Sequence, residues 1–195
     1  MFKGVFTPRF MIARKFVPFP VLILLVPFLL VGCFKWDVRI NYLSMDSKPA
    51  VSSTLVTESM ALQSGYFDSL LKELNKRKIA IDVKKMVRRY KGKNVDLSSV
   101  SWRYQGLEFS KTECTRSWFS KTCKVSFSQW VNPEKFPEFQ WEPPTFTLTV
   151  VMPKKSYKGS NAHSVSDQGS NKILRWNYRN IKPRQTVQFE YEYTS

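Results

Sequence analysis

Histidine occurs once in this 195-residue chain, at His163, glycine seven times and cysteine three times. Each scarcity narrows the chemistry. A single histidine in a polar loop, between Ala162 and Ser164, offers no second imidazole for a metalloprotease pair. It sits in no recognisable nucleophile arrangement either. Seven glycines are few for a loop-built active site, and no phosphate-cradling glycine loop is present. Glu134, Glu138 and Glu142 recur every four residues, but Pro133, Pro137, Pro143 and Pro144 interrupt them and forbid the helix that would align the carboxylates. The sequence thus offers no catalytic residues, no metal ligands and no dissociable cofactor, and it reads as a non-enzyme. An enzyme built on Asp and Lys alone is the catalytic class this pattern leaves open.

The first 32 residues contain no acid. Lys3, Arg9, Arg14 and Lys15 form a basic start, an apolar run follows, and Leu30-Val31-Gly32-Cys33 closes it. This is the order of a secretory signal ending in a lipobox. The Cys33 thiol would take a diacylglyceryl group as a thioether, and small Gly32 lets a membrane-embedded peptidase reach the bond before it. The domain division that follows is 1–32 signal peptide and 33–195 extracytoplasmic domain. The competing reading is an uncleaved anchor. Nineteen residues without charge separate Lys15 from Lys35, roughly 28 Å as a helix, against a hydrocarbon core of about 30 Å. Pro18, Pro20 and Pro27 disturb that helix, and the strongly apolar part, Val21 to Val31, has the length of a signal h-region. Both readings place the remainder outside the cytoplasm, because basic flanks stay on the inner side.

Removing the signal leaves 163 residues, enough for one domain with a real core. It leaves 27 cations against 15 acids, a net charge of +12. Such a domain is drawn to anionic surfaces: lipid headgroups, acidic glycans or nucleic acid, the last being disfavoured by the secreted location. A basic face that only confers solubility is the bland alternative. With Cys33 lipidated, Cys114 and Cys123 remain. In an oxidising compartment they are a disulfide candidate closing a loop of about ten residues, worth roughly 2–3 kcal/mol by chain entropy. Two free buried thiols are the other possibility. The segment between them resembles a hairpin connection.

Side-chain periodicity predicts an α+β fold, an antiparallel sheet with one or two helices packed on it. Trp36 to Met45 alternates as a half-buried strand, and Val51 to Thr57 returns it. Gln63 to Lys78 is the helix, with Ser64 as cap and Tyr66, Phe67, Leu70, Leu71 and Leu74 at helical spacing. In Ser99 to Ser110, Val100, Trp102 and Tyr104 are divided from Leu107 and Phe109 by Gln105-Gly106, a compact turn signal. Thr122 to Trp130, Phe146 to Val151, Ile173 to Trp176 and Thr186 to Tyr193 read as strands, Gly159 to Gly169 as a polar loop. Asn132 to Pro144 reads as a Pro-rich connection carrying Phe136, Phe139 and Trp141.

Lys84, Lys85, Arg88, Arg89, Lys91 and Lys93 are six cations with no acid among them, spaced by Met86, Val87 and Tyr90. The stretch fits a second amphipathic helix or a basic strand and loop. It is the candidate anionic-surface site, each cation worth about 1 kcal/mol near an anionic leaflet, with Met86 and Tyr90 as wedges and Lys76 to Lys78 extending the patch. A solvated face beside the core is the competing reading.

Phe146-Thr-Leu-Thr-Val-Val-Met-Pro153, Ser160-Asn161-Ala162 and Leu174-Arg175-Trp176 together resemble the end of LppM-type lipoprotein domains. Gly32-Cys33-Phe-Lys-Trp-Asp-Val-Arg-Ile40 is similar to the strand after the lipobox in related cyanobacterial lipoproteins of unassigned function. Lys154 stands where that family usually has glycine. The family often has a C-terminal membrane helix, and the sequence up to Ser195 has no such segment. The resemblance implies a surface-anchored α+β domain that binds lipid or envelope glycolipid without catalysis. The composite expectation is a lipid-anchored, noncatalytic binding module for anionic lipid, glycolipid or envelope polymer. Its alternative is a small structural or assembly subunit on a membrane protein complex, draped through the Pro-rich segment. Mass spectrometry of the membrane-extracted protein separates anchor from lipoprotein: a first residue Cys33 of acylated mass is expected, and an intact Met1 start with unmodified Cys33 refutes the lipobox.

Overall fold

Trp36, Val38 and Ile40 point inward from β1 (Phe34–Asn41), and residues between them face outward, as the period of two requires. The computed structural model describes residues 34–59, 65–107, 110–130, 144–181 and 185–195. The same alternation builds β2 (Ala50–Glu58), β7 (Thr145–Pro153) and β11 (Thr186–Thr194). Along β7, Phe146, Leu148, Val150 and Met152 are all buried, while Thr145, Thr147, Thr149 and Val151 between and before them are only partly so. β-branched residues suit the outer positions because they pack well on a pleated surface.

The remaining elements are α1 (Gly65–Lys76), β3 (Ile81–Tyr90), β4 (Lys93–Gln105), β5 (Lys111–Arg116), β6 (Lys121–Trp130), β8 (Tyr157–Ser160), β9 (Ser164–Gln168) and β10 (Asn171–Tyr178). A seven-stranded sheet runs β3-β4-β2-β1-β7-β10-β9, and a four-stranded sheet runs β5-β6-β11-β8. Within the large sheet β1 and β7 are parallel, and every other pairing is antiparallel.

The α+β expectation is thereby corrected: the fold is β-rich, two sheets facing each other rather than one sheet covered by helices. Helix is confined, among the described residues, to α1 and a 3-10 turn at Lys154–Ser156. The stretch open to a second helix is strand β3, and the expected polar loop over Gly159–Gly169 contains strands β8 and β9. The physical reason is that the apolar stripe of the large sheet is buried mainly by a second apolar stripe, Val125, Phe127, Val187, Phe189, Tyr191 and Tyr193. From α1, Leu74 joins that core.

Aromatic contacts fasten the two sheets. Trp176 of β10 meets the Phe189 and Tyr191 rings of β11 at 5.7 and 6.2 Å between centroids. Its indole donates to Asn161 Oδ1 at 2.8 Å, and the same oxygen accepts the Glu190 amide at 2.7 Å. The residues that carry the LppM-like resemblance therefore form one physical unit: β7, the Asn161 connection and Trp176. Lys154 needs no glycine there, because it lies in the 3-10 turn with no left-handed backbone and pairs with Asp167. In β1, Trp36 donates to Ser53 Oγ at 2.7 Å and tilts against Phe146 at 5.1 Å. Just past β1, the Tyr42 hydroxyl meets that of Tyr191 at 2.7 Å, a polar bridge inside the core.

Burial pushes both phenols up from their ordinary pKa, Tyr191 far above it. Both stay protonated to higher pH in the folded chain than in the unfolded one. The stability this confers is complete below about pH 10 and is lost as pH rises through the folded-state values. Alkaline titration of thermal stability is expected to show a decline above pH ~10 that the Tyr42→Phe/Tyr191→Phe double variant reduces. At neutral pH, Tyr42→Phe alone leaves the Tyr191 hydroxyl unpaired and costs about 1–3 kcal/mol in urea unfolding; the double variant costs less than two such losses.

Candidate functional site

The basic stretch is the edge of the large sheet. Among the described residues β3 pairs only with β4, and at its far end the two strands outrun their neighbours. Ladder pairing of β4 with β2 ends at Leu97–Glu58 and the Ser59 amide still donates to Asp96 O at 3.0 Å, so Val87–Tyr90 and Lys93–Asp96 form a hairpin that runs past the ladder of the described neighbouring strand. Four residues of extension project about 14 Å. Lys91 (φ 47°) and Gly92 (φ 80°) close it, the two left-handed positions that a tight two-residue hairpin turn demands.

Register places this hairpin relative to the N-terminus. Lys85 opposes Ser98, Ser98 opposes Thr57, and Thr57 opposes Phe34, the first residue of β1. Lys84 lies likewise level with Lys35. Arg88, Arg89, Lys91 and Lys93 therefore extend past the end of the sheet at which Cys33 would join Phe34. Cys33 itself, with the whole signal and lipobox, lies outside the described residues.

The six cations do not share one face. Pleating sends Lys84, Arg88 and Lys93 to one side of the hairpin and Lys85 and Arg89 to the other, with Lys91 at the turn. Lys84 reaches Asp82 at 3.4 Å, and Lys91 lies 5.3 Å above the Tyr90 ring. Among the described residues, no acid pairs with Lys85, Arg88, Arg89, Lys91 or Lys93. Charges on an edge strand also deter edge-to-edge aggregation. That need alone does not call for one sign, nor for continuation around the turn to Lys93.

Two sequence expectations change at this site. Met86 and Tyr90 do not stand out as wedges: they pack half-buried on Val56, Leu97 and Val95. The exposed apolar side chains of β3 are Val83 and Val87, the latter 62% exposed, and Val87 borders a 670 Å³ groove with Lys85, Met86, Asp96 and Leu97. Nor do Lys76 to Lys78 extend the patch. They precede the other end of β3, and Ile81 is seven residues, roughly 24 Å of strand, from Arg88.

No protein-family model and no curated protein matches the chain. The LppM-like resemblance therefore rests on its own residues.

Cys114 and Cys123 are directly opposed on β5 and β6, with sulphurs 2.08 Å apart. His163 is not a free loop residue: its Nδ1 accepts the Asn177 amide at 3.0 Å, and its ring meets Tyr178 at 4.8 Å. No trio of His, Cys, Asp or Glu converges to hold a metal ion among the described residues. Glu134, Glu138 and Glu142 lie outside them, as do Phe136, Phe139 and Trp141.

Sequence reasoning missed one feature. Trp118 and Phe119, 98% and 100% exposed, form the tip of the β5–β6 hairpin. Their signal was visible as two adjacent aromatics between serines, where a turn ordinarily carries polar residues or glycine.

The hairpin geometry is testable through its turn. Gly92→Ala forces a side chain into φ 80° and is expected to cost about 1–2 kcal/mol in chemical denaturation, whereas Lys91→Asn costs nothing or stabilises.

Proposed function

We propose that this chain is a lipid-anchored, extracytoplasmic, noncatalytic binding module that applies the β3–β4 hairpin to an anionic lipid, glycolipid or envelope polymer. In this reading Cys33 carries the diacylglyceryl group, residues 33–195 are the working domain, and the relatives are LppM-like lipoproteins. The observation that carries it is the overhang: four cations without acid partners among the described residues project beyond Phe34, on the side where a lipid on Cys33 would sit. Tethering one residue before β1 would hold the hairpin near headgroups at high effective concentration. At about 1 kcal/mol for each cation within a Debye length of roughly 8–10 Å, four suffice for stable apposition that salt weakens.

The alternative, a structural or assembly subunit on a membrane protein complex, draws on the aromatic richness of the chain and on the 132–144 segment, of which only Pro144 is described. The test is hydrogen exchange on the full chain reconstituted in nanodiscs of phosphatidylcholine with or without phosphatidylglycerol. Amides of 86–96 are expected to exchange about tenfold more slowly with the anionic lipid, an effect lost at high salt and in Arg88→Glu/Arg89→Glu/Lys91→Glu. Equal exchange in both discs removes anionic lipid as the target.

A further inference from the structure

The tip formed by Trp118 and Phe119 is rigidly presented. Ser117 and Ser120 clasp the turn: the Ser117 amide donates to Ser120 O at 2.8 Å, and the Ser120 amide donates to Ser117 Oγ at 3.2 Å. Below them the Cys114–Cys123 link ties the two strands, and Lys121 and Ser195 exchange backbone hydrogen bonds at 2.9 and 3.2 Å. A braced turn gives two aromatic side chains no core to join. Their exposure follows from the geometry.

One step behind the tip, Arg116 opposes Lys121 directly. Like charges at that position destabilise a strand pair. On these strands Glu113 pairs with Lys111 at 2.5 Å, Glu190 pairs with Lys124 at 2.9 Å and Glu192 opposes Lys124, and no acid pairs with Arg116 or Lys121 among the described residues. An apolar aromatic tip backed by cations is the layering of a bilayer interface, where Trp and Phe sit at the acyl boundary and Arg and Lys meet phosphates.

The tip belongs to the end of the sandwich opposite Phe34. Tyr178, level with Trp36 through Phe146, bonds the Gln188 backbone, whereas Tyr42, past the other end of β1, meets Tyr191 and Tyr193. β11 thus runs towards the Tyr42 end, and the β5–β6 turn lies beyond it. β1 alone spans about 27 Å. Leu43, 91% exposed, occupies this end too, with the exposed Lys155 and Lys158 and one acid, Asp46, around the same groove.

We propose that the β5–β6 tip inserts Trp118 and Phe119 into an anionic lipid leaflet facing the one that holds the N-terminus, so that the protein bridges two membranes. The second half of this statement rests on the lipid-anchor reading given above. Lipid fits better than protein because two side chains of about 150–250 Å² each fall well short of the roughly 800 Å² a stable protein partner covers, whereas lipids close around a small protrusion.

The test uses the full chain reconstituted into bead-bound phosphatidylcholine vesicles, mixed with fluorescent acceptor vesicles containing phosphatidylglycerol. Wild type is expected to capture acceptors, and Trp118→Ser/Phe119→Ser at least about tenfold fewer, with unchanged melting because neither side chain touches the core. Brominated lipid confined to the acceptors is expected to quench part of the tryptophan emission, a loss that Trp118→Phe abolishes while capture persists. Undiminished capture by the double serine variant overturns the insertion. Equal capture of acceptors lacking phosphatidylglycerol overturns the role of Arg116 and Lys121, and quenching only from brominated lipid in the holding vesicle overturns the bridge. Failure of the β3–β4 reading shows separately, as equal hairpin exchange with and without anionic lipid while acceptor capture is intact. A chain that does not stay in the bead-bound vesicles refutes the anchor, and brominated vesicles of one population then report on the tip alone.

Discussion

Everything else in this molecule depends on the aromatic seam between its two sheets. Trp176, Phe189 and Tyr191 bring β10 against β11, Tyr42 bonds Tyr191 farther along, and Tyr193 continues the row. Aromatic side chains bury large areas and accept tilted or stacked geometries, so a few of them can lock two sheets in one relative orientation. That orientation decides which turns share an end. It sends the β3–β4 turn past Phe34 and the β5–β6 turn past Tyr42.

The polar atoms inside the seam make its alignment specific. Asn161 holds both the Trp176 indole and the Glu190 amide through one oxygen, and Trp36 is pinned to Ser53. Sliding one sheet past the other would break the Trp176–Asn161 and Tyr42–Tyr191 bonds, at a cost comparable to a lost hydrogen bond each, whereas Trp36–Ser53 fixes β1 against β2 within the large sheet. The two ends of the sandwich are thus held apart by the same contacts that stabilise it. The cationic β3–β4 turn and the aromatic-tipped β5–β6 turn therefore lie at opposite ends of the sandwich.

Much of the fold was legible along the chain. Strands at Trp36, Val51, Thr122, Phe146, Ile173 and Thr186 announce themselves by alternation, and the Cys114–Cys123 pair by its place in a hairpin. The failures have physical causes. The Lys84–Lys93 stretch is an edge hairpin with exposed cations on both faces and only Met86 and Tyr90, four residues apart, half-buried, so its pattern fits helix as well as strand. β8 and β9 are short and polar, held by backbone pairing to β11 and β10 rather than by an apolar face of their own.

Composition and local order by themselves determined that the chain is basic, rich in alternating strand patterns, holds a single histidine and carries an acid-free basic and apolar run ahead of Cys33. These are properties of neighbouring residues, and neighbours in sequence suffice to state them. Which sheet each strand joins, that β1 lies parallel to β7, and that the two basic turns face opposite ways were decided only in three dimensions. Pairings between residues as far apart as Tyr42 and Tyr191 leave no mark on local periodicity, since each strand is equally satisfied by any apolar face of matching shape.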